Sequence, residues 1–162
     1  MKFIKTLIIL FVLSSIFATC KKENSPASDN LYFKCKLNGQ DYVPSNCANC
    51  LQCEILHDTT FILGANAGFQ TLGIGINDGQ GIKVNSYMLN EVIGRRGDYK
   101  SSTVTNDRYF TDASHLGFLK ISSLDKTKKL ITGTFSYTAY NPLQNNTVNI
   151  TEGSFRLKYT DY

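Results

Sequence analysis

The chain contains no tryptophan, three prolines and two histidines among its 162 residues. Each scarcity removes a class of chemistry. The two histidines, His57 and His115, would need convergence with other groups to bind zinc or to catalyse, and the sequence shows none. Each reads as a surface or strand-end residue. Gly-x-Ser-x-Gly, His-Glu-x-x-His and the phosphate-binding loop are all missing. Ser123 and Lys126 match the spacing of a Ser-x-x-Lys nucleophile, but that motif needs a helix and these two stand in a turn. Gly73 and Gly75 lie inside an alternating segment, not between a strand and a helix, so they are no dinucleotide fingerprint. No stretch shows helical periodicity with caps. Charge of one sign is also in short supply, with 17 Lys and Arg against 13 Asp and Glu. The small groups Lys126-Lys128-Lys129 and Arg95-Arg96 read as solvated turn charge, not as a nucleic-acid face. The expectation is a protein that is not an enzyme, holds no cofactor and binds no nucleic acid.

What is present begins at the N-terminus. Lys2 and Lys5 form a short positive region, and residues 6–17 form an uncharged apolar run. That run has the length of a signal-peptide core and falls short of the about 20 residues a membrane span needs. Phe17-Ala18-Thr19-Cys20 resembles a lipobox, in which signal peptidase II cuts before the cysteine and that cysteine is acylated. Two or three acyl chains hold a protein stably at a membrane, each buried methylene adding about 0.8 kcal/mol. The reading is a signal peptide over 1–19, a lipidated Cys20 with a flexible polar tether over 20–30, and a single domain over 31–162. Such a chain sits in the cell envelope as an outer-membrane lipoprotein, and its membrane partner is reached through Cys20.

From residue 31 the hydrophobic pattern has period two. Leu31, Phe33, Cys35 and Leu37 alternate with Tyr32, Lys34 and Lys36, which places the two sets on opposite faces of a strand. Asn38-Gly39 is a strong hairpin signal, and a short strand over 40–43 ends at Pro44. Further strands are expected over 60–63, 71–77, 82–89, 98–104, 109–111, 115–122, 129–140, 147–151 and 154–160. Residues 64–68 and 78–81 read as turns, and 90–97 has room for one helical turn. About ten short strands at this spacing predict an all-β domain, an antiparallel β-sandwich or half-open barrel.

Three segments resemble a family of small uncharacterised all-β lipoproteins of the Bacteroidota type, a domain of unknown function. They are Phe33-Lys34-Cys35-Lys36-Leu37-Asn38-Gly39-Gln40-Asp41-Tyr42, the hairpin from Gly117-Phe118-Leu119 through Leu124-Asp125 to Gly133-Thr134-Phe135-Ser136-Tyr137, and Val148-Asn149-Ile150-Thr151-Glu152-Gly153-Ser154-Phe155. The resemblance implies a β-sandwich or half-open barrel on a lipid anchor. It implies no activity and no catalytic residues.

Beyond Cys20, four cysteines remain: Cys35, Cys47, Cys50 and Cys53. In an oxidising compartment an even number reads as two disulfides, here Cys35 with Cys53 and Cys47 with Cys50. The run Cys47-Ala48-Asn49-Cys50-Leu51-Gln52-Cys53 also resembles part of an iron–sulfur or zinc ligand set, with Cys35 as a fourth thiolate. A redox-active Cys-x-x-Cys is a third reading, though it needs a helix N-terminus in a βαβ setting. Tyr87, Tyr99, Tyr109, Tyr137 and Tyr140 form a candidate ligand face, since aromatic rings cover the apolar faces of sugars. The functional expectation is a membrane-anchored, non-catalytic binding module for a glycan, lipid or protein ligand. The alternative is a redox or metal-binding envelope protein that uses the cysteine cluster.

Overall fold

The computed structural model describes residues 30–103 and 106–162. The expected signal peptide, Cys20 and all but the last residue of the tether lie outside the described residues, as does Val104. Among the described residues there are twelve strands and a single 3₁₀ turn, Glu91–Ile93. None of their helices is long and apolar enough to cross a membrane. The strands are β1 (Tyr32–Leu37), β2 (Gln40–Tyr42), β3 (Leu51–Leu56), β4 (Thr60–Ala67), β5 (Gln70–Asn77), β6 (Asn85–Leu89), β7 (Arg95–Lys100), β8 (Arg108–Phe110), β9 (Gly117–Asp125), β10 (Leu130–Asn141), β11 (Asn146–Lys158) and β12 (Thr160–Asp161).

All twelve belong to one open sheet in the order β12-β3-β4-β5-β7-β8-β10-β11-β1-β2, with β9 and then β6 branching from β10. The branch exists because β10 is long. Its first half pairs with β9 from Leu130↔Asp125 to Tyr137↔Gly117, and its far end pairs with β8 at Tyr140↔Phe110. The sheet curls around one core. Strands distant in the order meet across it: Phe61 on β4 stacks on Phe155 of β11 with ring centroids 6.1 Å apart. The Tyr42 hydroxyl of β2 donates to the Ala65 carbonyl of β4 at 2.8 Å. The expected all-β sandwich or half-open barrel therefore takes the form of one open, curled sheet of twelve strands.

Local sequence explains the elements. On β5, Leu72, Ile74 and Ile76 are buried while Thr71, Gly73 and Gly75 face outward, the two-residue repeat of a strand. Asn38 and Gly39 both have positive φ, 50° and 83°, which the tight β1–β2 hairpin requires. At the β9–β10 turn, the Asp125 carboxylate accepts the Thr127 and Lys128 N–H groups at 3.0 and 2.9 Å.

Two expected strands shift, 82–89 to β6 at Asn85–Leu89 and 98–104 to β7 at Arg95–Lys100, and three further expectations need correction. Residues 64–67 do not turn: β4 runs through Ala67, because Ala65 is fully buried and the small residues lie within the ladder, leaving the turn to Gly68-Phe69. The two strands expected at 147–151 and 154–160 run together as β11 through Lys158, with Thr160 in β12. Strand β11 bulges where Thr151 and Glu152 together oppose Ser136, and Glu152 takes a φ of 53°. The third correction is β3, a full strand in a region read only for its cysteines.

Candidate functional site

The outward side chains of β4, β5 and β7 leave a trough of about 550 Å³ on the solvent face of the sheet, within the roughly 300–1,000 Å³ of small-molecule sites. Strand register builds it. Gly64 on β4 pairs with Gly73 on β5, which pairs with Asp98 on β7, and one step along Ile62 pairs with Gly75, which pairs with Arg96. Three glycines in two adjacent rows form the floor, and Gly75 leaves its backbone open. The walls are polar. Just outside the lining, Gln52 of β3 pairs with Gly64, its Oε1 lying 3.4 Å from where a Gly64 Cβ would stand. Asp98 leans over Gly73, its Oδ1 2.5 Å from the corresponding Cβ position. Thr60, Thr71 and Asn77 complete the lining with Glu91 and Gly94.

The charged wall is held in place. The Arg96 guanidinium contacts Glu91 Oε1 at 3.1 Å and Asp98 Oδ1 at 3.8 Å, and it lies over the Phe110 ring 5.1 Å from the centroid. Arg108 lies over the same ring at 5.2 Å. The 3₁₀ turn that carries Glu91 is fixed by Asn90, whose side chain accepts the Val92 N–H at 3.1 Å, and by Gly94 at φ 72°. Burial pushes the Asp98 carboxyl above its ordinary range, with Arg96 and Arg108 opposing that shift. The trough thus presents two carboxylates, a guanidinium, the Asn77 amide and two threonine hydroxyls around a floor that is open at Gly75. These groups hydrogen-bond; none of them is arranged as a nucleophile with its base.

The tyrosines expected to form a ligand face do not form one. Tyr87, Tyr99, Tyr109 and Tyr137 are 0–5% exposed and belong to the core. Three spend their hydroxyls inside the protein. Tyr137 donates to the Asp98 carbonyl at 2.7 Å, Tyr109 donates to Gln144 Oε1 at 2.9 Å, and Tyr87 exchanges hydrogen bonds with the Lys83 backbone at 3.0 and 3.1 Å. The physical reason is size: a curled sheet of this span needs large side chains to fill it, and tyrosine fills space while its polar tip finds a partner. Tyr140 alone is outward. It stacks on His115 at 4.6 Å, and Asp112 holds the His115 ring Nδ1 at 2.9 Å. His57 sits in the β3–β4 turn with φ 49°.

Of the two expected disulfides, Cys47–Cys50 is formed, within a turn in which the Cys50 N–H donates to the Cys47 carbonyl at 3.1 Å. Cys35 and Cys53 are free and buried, so the expected Cys35–Cys53 bond is not made. Both thiols face the core from β1 and β3 and pack as small hydrophobes. Burial raises each of them to about 12. No three of His, Cys, Asp and Glu among the described residues come together as a metal-ligand set.

The residues that build the trough were not singled out by sequence. Arg95-Arg96 read as turn charge, yet both lie in β7, with Arg96 locked into the wall. A signal did exist in Thr71-Leu72-Gly73-Ile74-Gly75-Ile76. Alternation puts both glycines on one face, and a strand face without side chains is a bare surface.

Comparison with known protein families matches residues 30–157 to the domain of unknown function DUF6252, and the chain belongs to that family. No curated protein and no solved structure matches it.

Proposed function

From membership in a family whose description names no activity, we propose that this chain is a non-catalytic binding module of the bacterial envelope. In this reading it is an outer-membrane lipoprotein of the Bacteroidota type, tethered through acylated Cys20 and presenting the trough to its ligand. The observation that carries the reading is the trough itself: a concavity on the outer face of the sheet, walled in part by Glu91, Arg96 and Asp98, which hold one another in place. Pre-organised donors and acceptors favour recognition because little ordering remains to be done on binding. The leader supports the address, since an apolar run ending in Phe17-Ala18-Thr19-Cys20 is what a lipidation pathway reads.

Metabolic labelling tests the anchoring half. Cells expressing the full chain with an alkynyl palmitate analogue should yield a labelled, membrane-fractionating protein, and Cys20→Ala should abolish both the label and the fractionation. A label that persists in Cys20→Ala would refute the anchor. The binding half is tested at the trough, below.

A further inference from the structure

We infer that the trough over β4, β5 and β7 binds a neutral oligosaccharide whose chain lies along the two glycine-bearing strands. The inference rests on the reading of this chain as a binding module and names the ligand class of that site.

Gly75 differs from the other strand glycines. Gly97, Gly133 and Gly153 are explained by their neighbours. A Cβ on Gly97 would stand 2.8 Å from the Tyr137 ring, one on Gly133 2.6 Å from the Lys120 carbonyl, and one on Gly153 2.5 Å from the Phe135 carbonyl. Gly75 has nothing within 4 Å of its Cβ position, and its φ lies outside the left-handed region. A glycine in mid-strand is less stable than alanine by about 0.5–1 kcal/mol. The fold gains neither packing nor conformation from this one. What Gly75 does provide is open space in the middle of the trough floor, where another molecule can approach the backbone.

The surroundings select the chemistry. The floor consists of paired strands, so its peptide groups are committed to the ladder between Ile62, Gly75 and Arg96. An extended peptide adding to a sheet needs an unpaired edge, which this face does not offer. Polar recognition must come from the walls, where Asp98 and Glu91 accept, Arg96 donates, and Asn77, Thr60 and Thr71 do both. A ligand that matches has a flat face with some apolar character for the floor and Ile62, and groups along its edges that both donate and accept. Sugar rings have that shape and chemistry. Two carboxylates against one guanidinium in the lining disfavour an anionic ligand, so the saccharide is neutral.

The test uses the full mature chain with Cys20→Ser, ¹⁵N-labelled and titrated with maltohexaose, cellohexaose, chitohexaose and mannohexaose. At least one should move the Gly64, Gly73 and Gly75 amide resonances in a saturable way. Gly75→Val places a side chain in open space, so the variant should fold with an unchanged spectrum elsewhere yet bind at least tenfold more weakly. Asp98→Asn should also weaken binding, by about tenfold or more, the usual effect of losing a hydrogen bond to a charged group. No saturable shift with any of the four sugars would overturn the inference, as would binding that Gly75→Val leaves intact. Sugar binding mapped to another face would overturn the site while leaving the binding-module reading in place.

Discussion

Burial decides the chemistry of Cys35 and Cys53 before any partner does. A thiolate is the nucleophile and the metal ligand, and neither sulfur forms one near neutral pH when its thiol is held at about 12. In a chain carrying Cys20→Ser, iodoacetamide should leave the folded protein unmodified at pH 8. After unfolding without reductant it should add two groups, and intact mass reads both states. Rapid labelling of the folded chain would refute the buried-thiol assignment. The same shifts set an alkaline limit. Cys35, Cys53, Tyr42, Tyr99 and Tyr137 are all raised by burial. In the folded state they keep protons that the unfolded chain releases above its ordinary values of 9.0 and 10.0. Their contribution to stability is therefore complete below about pH 9 and is lost as pH rises toward the folded values. Thermal unfolding should fall progressively from pH 9 upward, and a midpoint flat to pH 11 would contradict the burial of these groups. At this scale the sequence was partly misleading. Composition shows many tyrosines but not which side of a strand they need to fill, and Tyr87, Tyr99, Tyr109 and Tyr137 went inward because the curled sheet encloses a wide core.

At the scale of elements, β10 and β11 carry a reciprocal arrangement. Gly133 pairs with Phe155 and Phe135 pairs with Gly153, so each ring lies over the glycine opposite it. Each glycine makes room that the facing ring fills, which accounts for the two Gly-x-Phe segments Gly133-Thr134-Phe135 and Gly153-Ser154-Phe155. Gly153→Ala would set a methyl 2.5 Å from the Phe135 carbonyl, a backbone atom that no rotamer change can move. It should destabilise the fold by about 1–3 kcal/mol, the usual range for overpacking. Gly75→Ala meets no atom and should be neutral or stabilising by up to about 1 kcal/mol. Urea titrations of the two variants measure both signs, and equal effects would contradict this division of the glycines. Strands with clean alternation were legible in the sequence; β3 was not. Its pattern is regular, with Leu51, Cys53 and Ile55 turned inward against Gln52 and Glu54. One inward position is a cysteine, however, and its reading as a ligand or crosslink competed with its role as a small core residue. The trough was missed for a related reason, because it is made by what Gly64, Gly73 and Gly75 lack.

For the whole molecule, the open question of a curled but unclosed sheet is what protects its edges, since an unpaired edge invites pairing with another chain. The β2 edge is three residues long and is followed by Pro44. At the other end the chain covers β3 with its own C-terminus. After Lys158 the backbone leaves β10 and sets Thr160 and Asp161 parallel to Glu54 and Ile55 as β12. The His57 N–H donates to the Tyr162 carbonyl at 2.8 Å, and the Tyr162 N–H donates to the Ile55 carbonyl at 3.2 Å. Lys129 pairs with Asp161, which fastens the strand to the β9–β10 turn. Two exposed residues thereby shield a strand whose inward face holds Cys53 and Ile55. Removing residues 160–162 should cost about 1–3 kcal/mol, from a few backbone hydrogen bonds at roughly 1 kcal/mol each. The larger consequence should be association: β3 becomes a free edge six residues long, and the truncated chain should shift toward dimers and larger species with concentration in light-scattering chromatography. Lys129→Ala breaks only the fastening and should act in the same direction but less strongly. A truncated chain that stays monomeric at high concentration would show that the β3 edge is guarded by something other than the C-terminal strand.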